Sequence, residues 1–375
     1  MLFNVCALYI KIMNNENQTI HKSDDNLTIY GWNEKLNQLK QESIYSTLAH
    51  GRVSIVHRTC YEVISGNGLF QCELTGNMMY GKSDDELPCT GDWVIFQPFD
   101  EHKGIIVDRL PRERTLYRKK SDTVADKQAI ASYVDKAFIV QSLDDNFNVR
   151  RVERFMVQIM EENISSVLVL NKADLDFDRQ SVEEQIKHIS SQIPVFFTSI
   201  HQLETIVRLR KSISEGETVV FVGSSGVGKS SLVNALCEKP VLLTSDISLS
   251  TGKGRHTSTR REMVLMDSSG VLIDTPGVRE FGLAIDNPDS LAEVLEISDY
   301  AELCRFKDCK HINEPGCAVI EAVNSGALDS KVYASYLKLR REAWHFSASE
   351  HEKRKKEKSF TKLVEEVKNR KDASR

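Results

Sequence analysis

The sequence predicts a multidomain α/β protein with an added all-β unit. An N-terminal OB-type β-barrel comes first, a doubly wound α/β domain second, and a C-terminal helical region built on a metal-binding Cys/His cluster third. Three observations predict this order. Residues 51–110 hold several short stretches rich in β-branched and aromatic residues, with no helical period between them. From residue 134 nearly continuous apolar runs alternate with amphipathic ones, as in a parallel sheet covered by helices on both faces. Cys304, Cys309, His311 and Cys317 then fall within one short stretch, a spacing that suits a zinc site. At 375 residues the chain is also too long for one ordinary core. The expected boundaries are a flexible extension over 1–44, the barrel over 45–115, the α/β domain over 116–285, and the helical domain with a basic tail over 286–375.

Taken in order, the start LFNVCALYIKIM is apolar but has neither a basic leader nor a small-residue cleavage site. No signal peptide is expected, and synthesis beginning at Met13 is the alternative. Residues 14–40 are polar and Asn-rich and predict a loose extension. RVSIVH, YEVIS, GLFQCELT and DWVIFQPF predict the barrel strands. RLPRERTLYRKK (109–120) carries six Lys/Arg against one Glu; it reads as a solvated linker or, the favoured reading, as a phosphate contact beside the barrel. AFIVQS, SVLVLN, VFFTS, TVVFVG and VLIDT predict buried strands, and RRVERFMVQIMEE, SVEEQIKHISSQ and LETIVRLRKSI predict the helices between them. LDSKVYASYLKLRREAW and the Lys-rich tail predict helices packed around the Cys/His cluster.

Composition narrows the function classes. Apolar residues make up 41% and charged residues 27%, as in a soluble globular protein. There is no apolar run of the roughly 18 residues a membrane span needs. A net charge of −5 excludes a uniformly basic nucleic-acid binder. Residues 331–375 nevertheless hold 14 Lys and Arg against 7 Asp and Glu, which fits either a solvated helix or a phosphate-facing arm. Eight cysteines, five of them scattered at Cys6, Cys60, Cys72, Cys89 and Cys237, suit a cytoplasmic chain whose thiols are reduced or metal-bound.

The strongest chemical signal is GSSGVGKS (223–230), set between a buried strand and an amphipathic helix. That is the context a phosphate loop requires. Gly223, Gly226 and Gly228 allow backbone angles that a Cβ obstructs, so the amides of Ser224, Ser225, Val227 and their neighbours through Ser231 can face phosphate oxygens at a helix N-terminus. Lys229 is placed to reach the terminal phosphates, and the Ser230 hydroxyl to bind Mg²⁺. NKAD (Asn171, Lys172, Ala173, Asp174) follows directly on a buried strand. The Asp174 carboxylate can accept from both N1 and N2 of guanine, a donor pair adenine lacks, so the nucleotide expected is GTP or GDP. Asn171 can brace the loops and the Lys172 stem can cover the base plane. FTS (197–199) also follows a strand and can bring a backbone amide to the guanine O6. Asp274 of DTPG can hold Mg²⁺ through water, while the Gly277 amide can sense the terminal phosphate. Between the two motifs, TGKGRHTSTR (251–260) reads as a mobile loop in which Thr257 or Thr259 can ligate Mg²⁺.

The order of these motifs is unusual. NKAD and FTS precede the phosphate loop, the GRHTST loop and DTPG, whereas moving the last three ahead restores the common GTPase order. This is a circular permutation, which a compact domain tolerates when its termini lie close together. The cut falls after DTPG, so the loop that senses the terminal phosphate leads directly into the C-terminal domain.

Three thiolates and one imidazole, from Cys304, Cys309, His311 and Cys317, complete a tetrahedral Zn²⁺ site. With no position open for water, one structural zinc ion is expected to fold a segment too small for its own core.

Together, NKAD, GSSGVGKS, GRHTST, DTPGVREFGL and the Cys/His pattern resemble the circularly permuted ribosome small-subunit-dependent GTPase A family of bacteria, over roughly residues 45–345. The resemblance implies an OB barrel, a circularly permuted P-loop GTPase domain and a zinc-binding helical domain. It also implies binding to the small ribosomal subunit and its rRNA late in assembly, with GTP hydrolysis to GDP and phosphate stimulated by that subunit. Two positions depart from the family. Thr257, Ser258 and Thr259 stand where it has three threonines, and Tyr133-Val134-Asp135 where it has Asn-Val-Asp.

Many GTPases orient the attacking water with a Gln just after DxxG, but here that position is Val278. The resemblance points instead to His256 as the catalytic group, acting when the ribosome orders its loop. The expected protein is a cytoplasmic monomer with no membrane partner. The rival reading is a GTP-dependent signalling switch with a protein partner and no RNA; a second rival is an RNA-binding module with a vestigial GTPase. The barrel and basic stretches favour RNA, and intact Lys229, Ser230, Asp274 and Asp174 argue for an active site.

Overall fold

The computed structural model describes residues 25–80, 85–119, 127–238, 262–266, 269–274 and 288–347. Strands β1 (Ala49–Val56), β2 (Tyr61–Ser65), β3 (Gly68–Leu74), β4 (Trp93–Asp100) and β5 (Lys103–Arg109) close into a barrel. β1 pairs with both β2 and β4, β2 with β3, β3 in parallel with β5, and β5 with β4. Alternation in the sequence turns Val53, Val63, Phe70, Cys72, Phe96 and Ile106 inward, and Met78 of the short helix Gly76–Tyr80 plugs one end. β5, KGIIVDR, is a barrel strand beyond the four stretches read from the sequence, with Gly104 and Ile106 buried in alternation.

Residues 25–44 overturn the expectation of a loose extension. The turn Asp25–Thr28 and helix α1 (Glu34–Glu42), capped by Asn33, bury Leu27, Trp32 and Leu36 against Trp93, Ile95 and Tyr133. Three large apolar side chains are enough to dock a polar segment. Residues 1–24, with the possible start at Met13, lie outside the described residues.

Two cations of the basic stretch at 109–120 have partners within the chain, which its favoured reading does not include. Arg112 grips the fully buried Asp92 through Nε (2.9 Å) and Nη2 (2.7 Å), and Arg114 pairs with Asp135 at 2.9 Å. The Arg112 pair is buried and the Arg114 pair is partly exposed. Residues beyond them form β6 (Leu116–Lys119), which pairs with β7 (Lys127–Ala131) in a two-stranded ribbon.

The barrel is joined to the rest of the chain by Arg52 of β1. Its guanidinium donates to the carbonyls of Gly91 (3.0 Å) and Tyr30 and to Thr218 Oγ1 (2.9 Å), while lying over the Trp93 ring. Burial pulls its pKa down to about 10, with Asp135 working against that fall, so Arg52 is charged at neutral pH. Tyr133, where the family has Asn, has φ 53°, a left-handed backbone that Asn adopts readily. Its ring is buried and its hydroxyl donates to the Pro111 carbonyl, compensation that an Asn cannot supply.

The second unit is a six-stranded layer in the order β10-β9-β8-β11-β13-β12, continuous with the barrel through one β12–β1 pairing at Glu262 and Ile55. Its strands are β8 (Lys136–Ser142), β9 (Ser165–Asn171), β10 (Val195–Thr198), β11 (Thr218–Val222), β12 (Glu262–Met266) and β13 (Ser269–Asp274). All neighbours are parallel except β12 and β13. Along β8, Ala137 and Ile139 enter one core while Phe138 and Val140 enter the other, so the strand is apolar on both faces. Helix α2 (Val149–Glu161) lies on the first face; α3 (Leu203–Lys211) and α4 (Lys229–Cys237) lie on the second.

Chain order runs outward from β8 to β10, then restarts at β11 beside β8 and runs the other way. This reversal is a topological switch point, and ligands of open α/β sheets bind beyond the carboxyl ends of the strands there. The motifs divide between its two sides: β9 and β10 lead into NKAD and FTS, while β11 leads into the phosphate loop and β13 ends at Asp274.

The C-terminal helices α5 (Pro288–Val294), α6 (Ala318–Ser325) and α7 (Ser330–Ser347) pack Leu291, Val294, Val319, Leu328, Tyr336 and Leu339 onto the first face. Among the described residues no helix is long and apolar enough to cross a membrane.

Candidate functional site

The switch point brings together motifs that the sequence writes far apart. Gly223, directly after β11, has φ 149°, and a Cβ there would lie 2.4 Å from the Val140 carbonyl. Gly228 has φ 91°, and a Cβ there would lie 2.3 Å from Asn171 Nδ2. Glycine is thus required at both ends of the loop. Between them Ser225 and Gly226 are exposed and Val227 is fully buried, while Ser230 and Ser231 are half-buried in the first turn of α4. Lys229 Nζ donates to the carbonyls of Gly223 (2.7 Å) and Ser224 (2.8 Å), which holds the ammonium over the loop.

NKAD closes onto this loop. Asn171, buried at the end of β9, donates from Nδ2 to the Val227 carbonyl at 2.8 Å and accepts from Thr198 Oγ1 at 3.2 Å. One side chain therefore links the base motif, the phosphate loop and β10. The Ala173 amide donates to the Thr198 carbonyl at 3.0 Å. Asp174 is exposed and accepts from Ser199 Oγ at 2.5 Å. That bond holds its carboxyl below the ordinary range, so it is an anionic acceptor at neutral pH.

Three partners escaped the sequence reading. The sequence points only to a backbone amide at Ser199; its hydroxyl orients Asp174. Asp144 Oδ2 accepts from Lys172 Nζ at 2.8 Å, and Ser142 Oγ donates to Oδ1 at 2.7 Å. Burial works against the charged form of Asp144, yet those hydrogen bonds hold its pKa at about 2. Arg151 Nη1 donates to Ser224 Oγ at 2.7 Å. The signal available is position alone: Asp144 lies just past the end of β8, and Arg151 lies in the first turn of α2.

The backbone of Asp274 ends β13, paired with Glu262, and the register Val220 to Ile273 sets it beside the strand that feeds the phosphate loop. Its side chain, and residues His256, Thr257 and Gly277, lie outside the described residues.

Apart from this site, Cys304, Cys309, His311 and Cys317 place their ligand atoms within 4.8 Å of one another. Cys304 Sγ and Cys317 Sγ each lie 3.5 Å from His311 Nδ1, and 3.9 Å from each other. A tetrahedron with metal–sulfur bonds of about 2.3 Å and metal–nitrogen bonds of about 2.0 Å has S···S edges of about 3.8 Å and S···N edges of about 3.5 Å. The donor set thus fits one four-coordinate ion. Glu314 braces the turn by accepting the amides of Ile312 (2.8 Å), Asn313 (3.0 Å) and Lys310 (3.2 Å), and the Tyr333 hydroxyl donates to the His311 carbonyl at 2.6 Å. Because Cys317 and the helices beyond it belong to the main core, a ligand lost is structure lost. Cys309→Ser is expected to abolish stoichiometric metal content and to lower Tm by several degrees or more, with protease cuts appearing near residues 300–317. Full metal content in that variant would remove Cys309 from the ligand set.

The fold and the two linked loops define a circularly permuted P-loop GTPase. The RsgA GTPase family model matches residues 109–284. An ABC transporter model also matches, over 206–369, a range that contains the phosphate loop common to both classes. The chain is 75% identical over 359 residues to small ribosomal subunit biogenesis GTPase RsgA 1 of Bacteroides thetaiotaomicron, covering 96% of this chain and 99% of that one. Among solved structures, YjeQ from Thermotoga maritima aligns with a TM-score of 0.61 at 26% identity, over 79% of this chain and 98% of that one. YloQ, described as a circularly permuted GTPase, aligns at 0.60 with 21% identity, over 82% and 99%, a likeness of fold. The chain belongs to the RsgA GTPase family.

Proposed function

We propose that this protein hydrolyses GTP to GDP and phosphate while bound to the small ribosomal subunit, and acts in late maturation of that subunit. The observation that carries the reading is the Asn171–Val227 bond, which makes the guanine motif and the phosphate loop one site despite their swapped order in the chain. In this reading Asp174 accepts from the base, and Lys172, tied to Asp144, flanks the base plane. The amides of residues 223–231 and Lys229 hold the phosphates, and Ser230, Thr257 and Asp274 hold Mg²⁺. Gly277 senses the terminal phosphate. The names of the relatives support a small-subunit partner, and the barrel and the basic tail suit rRNA. The Cys304, Cys309, His311 and Cys317 site holds one structural Zn²⁺, since three sulfurs and one imidazole favour that ion over harder cations. The domain division is the one drawn from the sequence, with residues 25–44 docked on the barrel. The protein works as a cytoplasmic monomer.

His256 supplies the group that Val278 cannot, when the subunit orders its loop. His256→Ala is expected to lower subunit-stimulated turnover by about 100-fold or more while nucleotide affinity changes by less than about three-fold. The test is phosphate release with and without purified small subunits at two salt concentrations. Stimulation that is absent in the wild type would favour the signalling switch, and equal turnover in mutant and wild type would remove His256 from the mechanism.

A further inference from the structure

Helix α2 starts beside the nucleotide site and runs beneath the metal-bearing region. Near its N-terminus, Arg151 Nη1 reaches Ser224 Oγ at 2.7 Å and also donates to Asn146 Oδ1 (3.1 Å) and the Asn146 carbonyl (3.4 Å). Ser224 is the residue whose carbonyl also receives Lys229. Arg151 and Ser224 belong to different halves of the permuted domain, 73 residues apart, and meet across the crevice between β8 and β11.

Two residues on, Glu153 is 3% exposed. At about 100° per residue it points away from Arg151. One carboxylate oxygen accepts from His188 Nε2 at 3.0 Å and the other from the hydroxyl of Ser335, itself buried, on α7. α2 also packs against α5, which packs against α7 in turn. Burying a carboxylate costs several kcal/mol of desolvation that apolar packing avoids, so such a group is a candidate for fixing register between elements and not for adding stability.

We propose that Arg151 is a positioning residue for the phosphate loop, and that Glu153 sets it by fixing α2 against Ser335 of the metal-bearing region. This rests on the reading of residues 223–230 as the phosphate site. The C-terminal region then reaches the nucleotide through α2, by a path separate from the chain that follows Asp274. The groups facing Glu153 are His188 and Ser335; those facing Arg151 are Ser224 and Asn146.

The experiment titrates N-methylanthraniloyl GDP and the matching non-hydrolysable GTP analogue into the full chain, with Tm and zinc content measured in parallel. Arg151→Ala is expected to weaken both nucleotides about ten-fold, the loss of one charge-assisted hydrogen bond, and Arg151→Lys to recover part of it. Ser335→Ala is expected to weaken both about three-fold with zinc content unchanged. The double variant is expected to match Arg151→Ala alone, because the effect of Ser335 passes through Arg151. Ser335→Thr, which keeps the hydroxyl, retains wild-type affinity and separates the hydrogen bond from a folding defect. Unchanged affinity in Arg151→Ala overturns its positioning role. Ser335→Ala and Arg151→Ala effects that multiply, or a Ser335→Ala variant that loses Tm but not affinity, overturn the link. A wild-type chain that binds neither nucleotide overturns the phosphate-site reading itself.

Discussion

Lys229→Ala is expected to reduce GTP turnover by at least about 100-fold, with and without small subunits present, while the far-ultraviolet spectrum and zinc content stay those of the wild type. The magnitude follows from what the side chain does. Its ammonium is held above the loop by the carbonyls of Gly223 and Ser224, at the N-terminus of α4, where aligned backbone dipoles also favour anions. Charge that builds on the transferred phosphoryl group then meets a cation already in place, and no solvent has to reorganise. Removing one such preorganised donor costs about 10²–10³ in rate. The fold does not depend on it, because the loop is held by other contacts: Val227 is fully buried and its carbonyl is bound by Asn171. Phosphate release at saturating GTP separates this loss from weaker binding. A variant within about three-fold of wild type would show that residues 223–230 are not the catalytic phosphate site.

The residues that were legible in the sequence share a property: their chemistry requires contiguous positions. A phosphate loop must supply successive amides, and NKAD must stand at the end of one strand, so each is written as a word. The metal ligands are contiguous for a similar reason, since a small knuckle has to place four atoms on one point. Asp144, Arg151 and the Ser199 hydroxyl are not written this way. Asp144 meets Lys172 from 28 residues away, and Arg151 meets Ser224 from 73. Only the order of strands in the sheet, with β8 beside β11, sets those pairs face to face. The segment at residues 25–44 looks loose when composition is averaged over an Asn-rich stretch, whereas Leu27, Trp32 and Leu36 act one at a time. The cations at 109–114 mislead for the opposite reason. A run of charge looks like a surface until Asp92 and Asp135 are seen beneath it.

Asp174→Asn is expected to exchange guanine for xanthine preference. The wild-type carboxylate has two oxygens and no proton to give, which matches the two N–H donors on one edge of guanine. The Ser199 hydroxyl fixes its direction and holds it ionised. Two charge-assisted hydrogen bonds at about 1.5–3 kcal/mol each make the pair worth roughly 3–6 kcal/mol, so GTP affinity is expected to fall by about 10²-fold or more. An amide in the same place accepts at one atom and donates at the other. Guanine then meets donor with donor, whereas xanthine offers one donor and one acceptor and is satisfied at both. Ser199 can still donate to Asn Oδ1, so the side chain keeps its orientation, and the exposure of Asp174 makes loss of fold a small term. Competition between GTP and XTP for the variant measures the switch directly. If both nucleotides weakened equally, Asp174 would be a structural brace of the loop and guanine would be read elsewhere; if neither changed, the base would not sit at NKAD at all.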